Sequence, residues 1–161
     1  MTRRWVVNAC PLIVLGKTGK IEWLVSLCEE LVVPKGVADE LQMGAPDDPA
    51  RMWIAAEGQA LIREKGLVPN SILEWDLEAG ETEVLAWAYL NPGFVAIVDD
   101  KAARDCAKTL DIPFSGTMGI LLKAKKQGLV AKVKPVMQEL LDAGLYVDRE
   151  TLEVVLRQAG E

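Results

Sequence analysis

Polar side chains directly follow two short apolar runs of the sequence. Asn8 comes after the run at 5–7, and Asp99 and Asp100 come at the end of the run at 94–98. In an open parallel sheet, ligands and chemistry collect beyond the carboxyl ends of the strands. If the two runs are neighbouring strands, these side chains meet at one edge of the sheet and form a candidate site.

Two glutamates lie on apolar stretches of predicted helices. Glu40 comes three residues after Val37, and Glu83 lies in the segment 80–88, which has no polar face. A carboxylate near a core is costly unless a cation or hydrogen-bond donors compensate it. Taken alone, Glu81 and Glu83 are better explained as charges that offset the dipole at a helix N-terminus. Taken with Glu40 and the two aspartates, Glu83 predicts a shared acidic pocket, and whether Glu81 assists Glu83 stays open.

The residue types restrict the chemistry of such a pocket. The sequence has no histidine, which excludes His-based catalytic triads and imidazole zinc sites. Its three cysteines, Cys10, Cys28 and Cys106, form no CxxC pair and support neither a disulfide framework nor a thiolate metal site. Carboxylate oxygens suit Mg²⁺ or Mn²⁺, which bridge to phosphates and activate water. The pattern therefore favours metal-assisted hydrolysis of a phosphodiester.

The elements that must position these residues alternate between strands and helices. The chain has 161 residues, half of them hydrophobic, which predicts one domain over residues 1–161. Apolar runs predict strands at 5–7, 31–33 and 94–98, with weaker ones at 112–114 and 145–147. Apolar spacing predicts helices at 21–28, 35–43, 80–90, 101–110, 117–126, 135–143 and 150–158. This order indicates a three-layer α/β/α fold around a mainly parallel sheet.

The sequence also indicates a cytoplasmic location. No apolar stretch approaches the roughly 20 residues that span a bilayer, and the N-terminal segment does not have the pattern of a signal peptide. The cysteine usage is typical of a reducing compartment. We therefore expect a soluble cytoplasmic protein that does not associate with membranes.

Five sequence blocks, in order, resemble those of PIN-domain proteins, in particular a VapC-like subgroup of ribonuclease toxins. They are Val6-Val7-Asn8-Ala9-Cys10-Pro11-Leu12-Ile13, then Val37-Ala38-Asp39-Glu40-Leu41, Gly80-Glu81-Thr82-Glu83-Val84, Val98-Asp99-Asp100-Lys101-Ala102-Ala103-Arg104 and Ser115-Gly116-Thr117-Met118-Gly119-Ile120-Leu121-Leu122. The resemblance implies a five-stranded PIN fold that binds Mg²⁺ or Mn²⁺ in an acidic pocket and cleaves RNA.

The resemblance also implies a role for each matching residue. Asn8 takes the place of the first acidic residue, Glu40 the second and Glu83 the third. The fourth is Asp99 or Asp100, and the match does not decide between them. Thr117 resembles a polar residue near the pocket, and Ser115 is a weaker candidate for the same position.

Asn8 departs from the pattern of most active PIN nucleases, which carry Asp there. An amide still offers a carbonyl oxygen, but it removes one negative charge from the metal site. The alternative to a ribonuclease is therefore a catalytically weakened PIN-fold module that binds RNA or a protein.

The charges of the chain are unevenly distributed. The net charge is −6, but the segment 101–134 carries eight Lys or Arg and two Asp, a net of +6. These lysines are ordinary solvated helix residues or contacts to an RNA backbone. The candidate RNA-binding residues are Lys101, Arg104, Lys123, Lys125 and Lys126. The resemblance implies RNA, a cognate antitoxin and a second copy of the chain as partners.

Overall fold

The computed structural model describes residues 3–161, in which five strands form one parallel sheet. The strand order is β3-β2-β1-β4-β5. Their bounds are β1 Arg4–Val7, β2 Glu30–Pro34, β3 Ile62–Arg63, β4 Phe94–Ile97 and β5 Phe114–Ser115. The predicted α/β/α architecture with a parallel sheet is confirmed.

In the described part of the chain, ten α-helices connect or follow these strands. They are α1 Ala9–Lys17, α2 Glu22–Ser26, α3 Lys35–Gln42, α4 Pro49–Ala55, α5 Asn70–Leu73, α6 Ala79–Leu90, α7 Lys101–Thr109, α8 Thr117–Lys126, α9 Val133–Asp142 and α10 Arg149–Gln158. A short 3-10 helix covers Glu57–Leu61. Within residues 3–161, no helix is long and apolar enough to cross a membrane.

The strand order places a topological switch point beside β1. From β1 the chain first builds β2 and β3 on one side and then returns to build β4 and β5 on the other. Val7 pairs with Ile97, and the N–H of Asn8 donates to the carbonyl of Ile97 at 3.1 Å. The ends of β1 and β4 therefore open a crevice where parallel sheets of this kind place their sites.

The central strands are apolar along their whole length because helices cover both faces of the sheet. Val6, Val32 and Ala96 have no exposed surface, and they belong to one core cluster with side chains from the helices. Continuous apolar strands of this type are the pattern of buried parallel sheets. Burial from both sides fixes the strand ends and hence the position of the polar residues that follow them.

Two of the five strands differ from those predicted. The segment 145–147 has no regular secondary structure and joins no strand of the sheet, and the fifth strand is instead β3 at the opposite edge. β3 has two residues, one of them Arg63, and so leaves no apolar run in the sequence. At the other edge, β5 is Phe114–Ser115 and not 112–114, because Pro113 has no N–H to donate to a neighbouring strand.

Candidate active site

Asn8 lies at the switch point, between the end of β1 and the start of α1. It is the N-cap residue of α1, but its side chain makes no capping hydrogen bond. Only 7% of the residue is exposed. Its amide oxygen lies 3.4 Å from the point that a Cβ atom at Gly80 would occupy. The oxygen therefore lies beside the first turn of α6.

Asp99 follows β4 and is held by the first residue of α8. The backbone N–H of Thr117 donates to its Oδ1 at 2.8 Å, and the hydroxyl of Thr117 donates to its Oδ2 at 2.6 Å. Thr117 is completely buried, so the two bonds fix the carboxylate at the N-terminus of a helix. Thr117 thus orients Asp99 and does not itself line the groove that opens beside it.

Asp100 caps the next helix, α7. Its Oδ2 accepts hydrogen bonds from the N–H groups of Ala102 at 3.0 Å and Ala103 at 3.3 Å. Both aspartates line the same groove. The structure therefore brings Asp99 and Asp100 together, with different roles in the two helix N-termini.

Glu40 reaches this groove from α3. Its Oε1 would lie 3.6 Å from a Cβ atom added at Gly80, the same position that the amide oxygen of Asn8 approaches. Glu40 and Asn8 therefore both lie beside Gly80, where α3 packs against α6. Partial burial and, secondarily, the charge of Glu78 raise the pKa of the Glu40 carboxyl above its usual value.

Glu81 is the third glutamate on the groove and the most buried carboxylate in it. It is 8% exposed and lines the groove with Asn8 and Glu40. Burial, followed by repulsion from Asp100 and Glu78, raises its pKa from 4.5 to about 7. No cation compensates this cluster strongly enough to keep the Glu81 carboxyl in its usual range.

The structure does not bring Glu83 into the groove. Its Oε1 accepts a hydrogen bond from the N–H of Gly36 at 3.2 Å, at the start of α3. It lines a separate cavity of about 110 Å³ with Trp87 and Leu90. Residues two apart on a helix face different sides, so Glu81 and Glu83 cannot both point to the same pocket. Of these two glutamates, the residue on the groove is Glu81.

Cys10 also lines the groove, which the sequence did not indicate. Burial, then the charge of Asp99 and a hydrogen bond to it, raises the pKa of the Cys10 thiol to about 12. The thiol is therefore protonated at neutral pH and is a poor nucleophile, since the thiolate is the reactive form.

Basic residues of α7 continue the groove away from the carboxylates. The groove has a volume of about 1010 Å³, and Lys101, Arg104 and Lys108 line it. Lys101 pairs with Asp105 at 2.9 Å, and Arg104 lies over the Phe114 ring at 5.2 Å. This row of cations is placed to contact an anionic chain that enters the groove.

The other predicted basic residues, Lys123, Lys125 and Lys126, do not line the groove. They occupy the last turn of α8, at the opposite end from Thr117. Lys125 donates to Glu161 at 2.8 Å and also to the carbonyl of Ala159. Its charge is thus used to join α8 to the segment after α10.

The donors on the groove fit a hard divalent cation in chemical type. They are amide and carboxylate oxygens, and the pKa of Glu81 is raised first by burial and then by its negatively charged neighbours Asp100 and Glu78. Within residues 3–161, however, no three acidic or thiol side chains are close enough to hold a metal ion as they stand. Mg²⁺ keeps several waters and needs only one or two carboxylates, so the oxygen donors remain suitable ligands.

Comparison with protein families agrees with this geometry. A family model described as a PIN domain matches residues 4–161. No curated protein matches the chain significantly. Because the match covers nearly the whole chain, including the acidic groove and all five strands, the chain belongs to the PIN-domain family, whose fold is of the nuclease type and whose members generally depend on divalent metal ions.

Proposed function

We propose that the protein is a metal-dependent ribonuclease that hydrolyses RNA phosphodiesters in the acidic groove. The observation that carries the proposal is the meeting of five oxygen-bearing side chains at the sheet's switch point, from segments far apart in the sequence. They are Asn8, Glu40, Glu81, Asp99 and Asp100. Uncompensated carboxylates at such a position are suited to a divalent cation and a phosphate.

These side chains would hold Mg²⁺ or Mn²⁺, and the bound ion would lower the pKa of a coordinated water and stabilise negative charge on the phosphate. Thr117 keeps Asp99 in one orientation through two hydrogen bonds. Asp100 is held by the two hydrogen bonds that its Oδ2 accepts at the cap of α7. The chain therefore supplies fixed donors, which limits the reorganisation needed during the reaction.

The basic face of α7 would bind the RNA backbone beside these donors. Arg104 is central because it lies next to Asp99, across Gly116. A Cβ atom added at Gly116 would lie 2.9 Å from Arg104 Nη1 and 2.7 Å from Asp99 Oδ1. Yet neither Arg104 nor Lys108 forms an ion pair in the part of the chain that is described. Unpaired cations beside an acidic centre are available for phosphate contacts.

We further propose that the ribonuclease is the toxin of a toxin–antitoxin pair and acts as a homodimer. A cognate antitoxin would then inhibit it by covering the acidic groove. This part of the proposal depends on the VapC-like blocks of the sequence. Co-purification with the product of an adjacent small gene, and loss of cleavage in that complex, would test it.

A second candidate function is a PIN-fold module that binds RNA or protein with little or no turnover. Asn8 favours this alternative because a neutral amide replaces a carboxylate at the switch point. Binding of RNA without cleavage in Mn²⁺, unchanged by Asn8→Asp, would support the module over the ribonuclease.

The test compares two glutamates on the same helix. Single-stranded RNA is incubated with Mn²⁺ and the wild-type protein, Glu81→Gln or Glu83→Gln. We expect cleavage by wild type and Glu83→Gln, and a loss of at least about a hundredfold for Glu81→Gln, since the charge is removed from the groove itself. Equal losses for both variants, or no cleavage by wild type, would contradict the proposed site.

A further inference from the structure

The groove has a second wall, formed by the segment between α9 and α10 and by α10 itself. We call it the C-terminal wall, and it consists of Leu145, Tyr146, Val147, Thr151, Val154, Val155 and Gln158. These residues are uncharged, and Asp148 is the one charged residue of the segment 144–158 that also lines the groove. We propose that the C-terminal wall is a nucleobase subsite in which Tyr146 stacks on a base of the bound RNA; this inference rests on the proposed ribonuclease function.

Tyr146 is the most exposed large hydrophobic side chain of this wall. It is 86% exposed, while Leu145 beside it is 4% exposed. An aromatic ring held in solvent offers a face to a planar ligand, and stacking on bases is tolerant of sequence because every base has such a face. The exposure alone is common on protein surfaces, so the argument depends on how the ring is held and what lies beside it.

The backbone holds Tyr146 from both sides. At the end of α9, Leu145 N–H donates to the carbonyl of Leu140 at 3.1 Å and Gly144 N–H donates to that of Leu141 at 3.1 Å. This is a Schellman motif, with Gly144 in the left-handed region at φ 111°. The four residues between this cap and α10 therefore leave the helix in a fixed direction.

On the other side, Asp148 caps α10 by accepting a hydrogen bond from Thr151 N–H at 2.8 Å. Tyr146 thus lies in a short connection anchored at both ends. An aromatic residue on a backbone fixed in this way loses little conformational entropy when it binds a ligand. The wall is consequently a pre-formed surface and not one that must fold around a partner.

Arg104 connects this wall with the acidic centre. It is next to Asp99 across Gly116. It also acts on Asp148, two residues after Tyr146: hydrogen bonds from Thr151 are the main cause of the lowered pKa of the Asp148 carboxyl, and the charge of Arg104 adds a smaller part. One guanidinium therefore lies near both the proposed cleavage site and the C-terminal wall. Because Arg104 and Tyr146 line the same groove, an RNA chain with one phosphate held by Arg104 can continue along the C-terminal wall, and this order of acid, cation and ring favours a nucleic acid over a protein partner.

The test measures RNA binding in the Glu81→Gln background, which we expect to be free of cleavage. The probes are a fluorescein-labelled single-stranded RNA of mixed sequence and an abasic ribose-phosphate chain of the same length. The variants are Tyr146→Ala, Tyr146→Phe and the matched control Tyr89→Ala. Tyr89 is a second exposed tyrosine, at 46%, and it does not line the groove.

We expect Tyr146→Ala to weaken binding of the RNA by about 5- to 150-fold, as found for the loss of one aromatic stacking partner. The abasic chain should bind Tyr146→Ala and the parent equally, and Tyr146→Phe and Tyr89→Ala should bind both probes like the parent. A loss of the same size for both probes, or for neither, would overturn the nucleobase subsite.

Two results separate this inference from the function on which it rests. If Arg104→Gln weakens binding of both probes and Tyr146→Ala of neither, RNA binding stands and the subsite is wrong. In that case the C-terminal wall would be left for a protein partner. If the parent binds neither probe, the proposed RNA substrate is wrong, and the subsite falls with it.

Discussion

The carboxylate of Glu83 accepts a hydrogen bond from the backbone N–H of Gly36, with 3.2 Å between the two atoms. Pro34, the N-cap residue of α3, has no side-chain group that caps the helix. Glu83 therefore satisfies one of the free N–H groups at the start of α3 from a different helix. Since α3 carries Glu40 and α6 carries Glu81, this bond joins the two helices that supply the glutamates of the groove.

We predict that Glu83→Ala lowers the free energy of unfolding by about 1 kcal/mol, the usual cost of losing a helix cap. Glu83→Gln keeps an acceptor oxygen and should recover more than half of this loss. Urea unfolding of the two variants measures the difference. An equal loss in both would contradict a capping role and point to the charge of Glu83 alone.

The stability of the metal-free protein should fall as the pH rises from about 4.5 to about 7. Burial first, and then Asp100 and Glu78, raise the pKa of Glu81 in the folded state to about 7 from 4.5. The folded protein thus binds this proton more tightly than the unfolded chain, and the resulting stabilisation is complete below about 4.5 and lost as the pH passes about 7. The size is up to about 3 kcal/mol.

Urea unfolding at a series of pH values in metal-free buffer measures this effect. Glu81→Gln should remove this part of the pH dependence, because its side chain does not ionise. Glu83→Gln is the matched control and should keep it. The same slope in wild type and Glu81→Gln would show that other groups cause the pH dependence.

The main strands could be predicted from the sequence because they are buried on both faces. Burial demands an unbroken run of apolar residues, which is visible at 5–7, 31–33 and 94–98. The edge strands β3 and β5 have two residues each, and so short a segment has no periodicity. The segment 145–147 has the alternation of a strand because Leu145 is buried and Tyr146 exposed, but a helix cap and not a neighbouring strand produces this pattern.

The residues at strand ends could also be placed from the sequence, since parallel strands end at the same edge. This reasoning brought Asn8, Asp99 and Asp100 together. It could not distinguish Glu81 from Glu83, because the rotation of α6 about its axis decides which one faces the groove, and α6 is apolar on nearly all sides. The pairing of Lys125 with Glu161 could not be predicted either, because it forms only when α9 and α10 have folded back onto α8.

Asn8→Asp should strengthen binding of a divalent cation. The residue is 7% exposed and lies beside Glu40 at Gly80, so an added carboxylate increases both the number of charged donors and their mutual repulsion. We expect the variant to be less stable than wild type without metal and to gain more in melting temperature from Mn²⁺. Thermal unfolding across a Mn²⁺ titration tests both parts.

For Asn8→Asp, a smaller gain from Mn²⁺ than in wild type would contradict a metal site at the switch point. Asn91→Asp is a suitable control, because Asn91 lies on the separate small cavity with Glu83. It adds the same charge but should leave the Mn²⁺ dependence unchanged.

Substitutions at Lys108 and Lys125 should have different effects, the first on RNA binding and the second on stability. Lys108 lines the groove, whereas Lys125 is engaged by Glu161 and Ala159. We predict that Lys108→Met reduces the salt dependence of RNA binding, with a slope smaller by about 1 in a log–log plot. Lys125→Met should leave that slope unchanged and lower the melting temperature, which thermal unfolding measures. A reduced slope for Lys125→Met would place the RNA on the far end of α8.

Gly80 and Gly116 each lie beside side chains of the groove, and alanine should have a larger effect at residue 116 than at residue 80. A Cβ atom at Gly116 would lie 2.7 Å from Asp99 Oδ1 and 2.9 Å from Arg104 Nη1, too close for either to stay in place. The backbone there is extended, with φ −124° and ψ −174°, so alanine brings no backbone strain. The effect of Gly116→Ala must therefore come from the displaced side chains. We expect a loss of RNA cleavage of about tenfold or more, as for other small displacements of a positioned group.

At Gly80 the nearest atoms to an added Cβ are 3.3 to 3.6 Å away, and the residue lies inside α6, where alanine is favoured over glycine by roughly 0.5–1 kcal/mol. Gly80→Ala should thus fold with unchanged or slightly higher stability and keep most of the activity. Cleavage rates with Mn²⁺, read beside melting temperatures, distinguish the two positions. If Gly116→Ala were as active as Gly80→Ala, neither Asp99 nor Arg104 would need its present position for cleavage. The role assigned to the two hydrogen bonds from Thr117 to Asp99 would then be wrong as well.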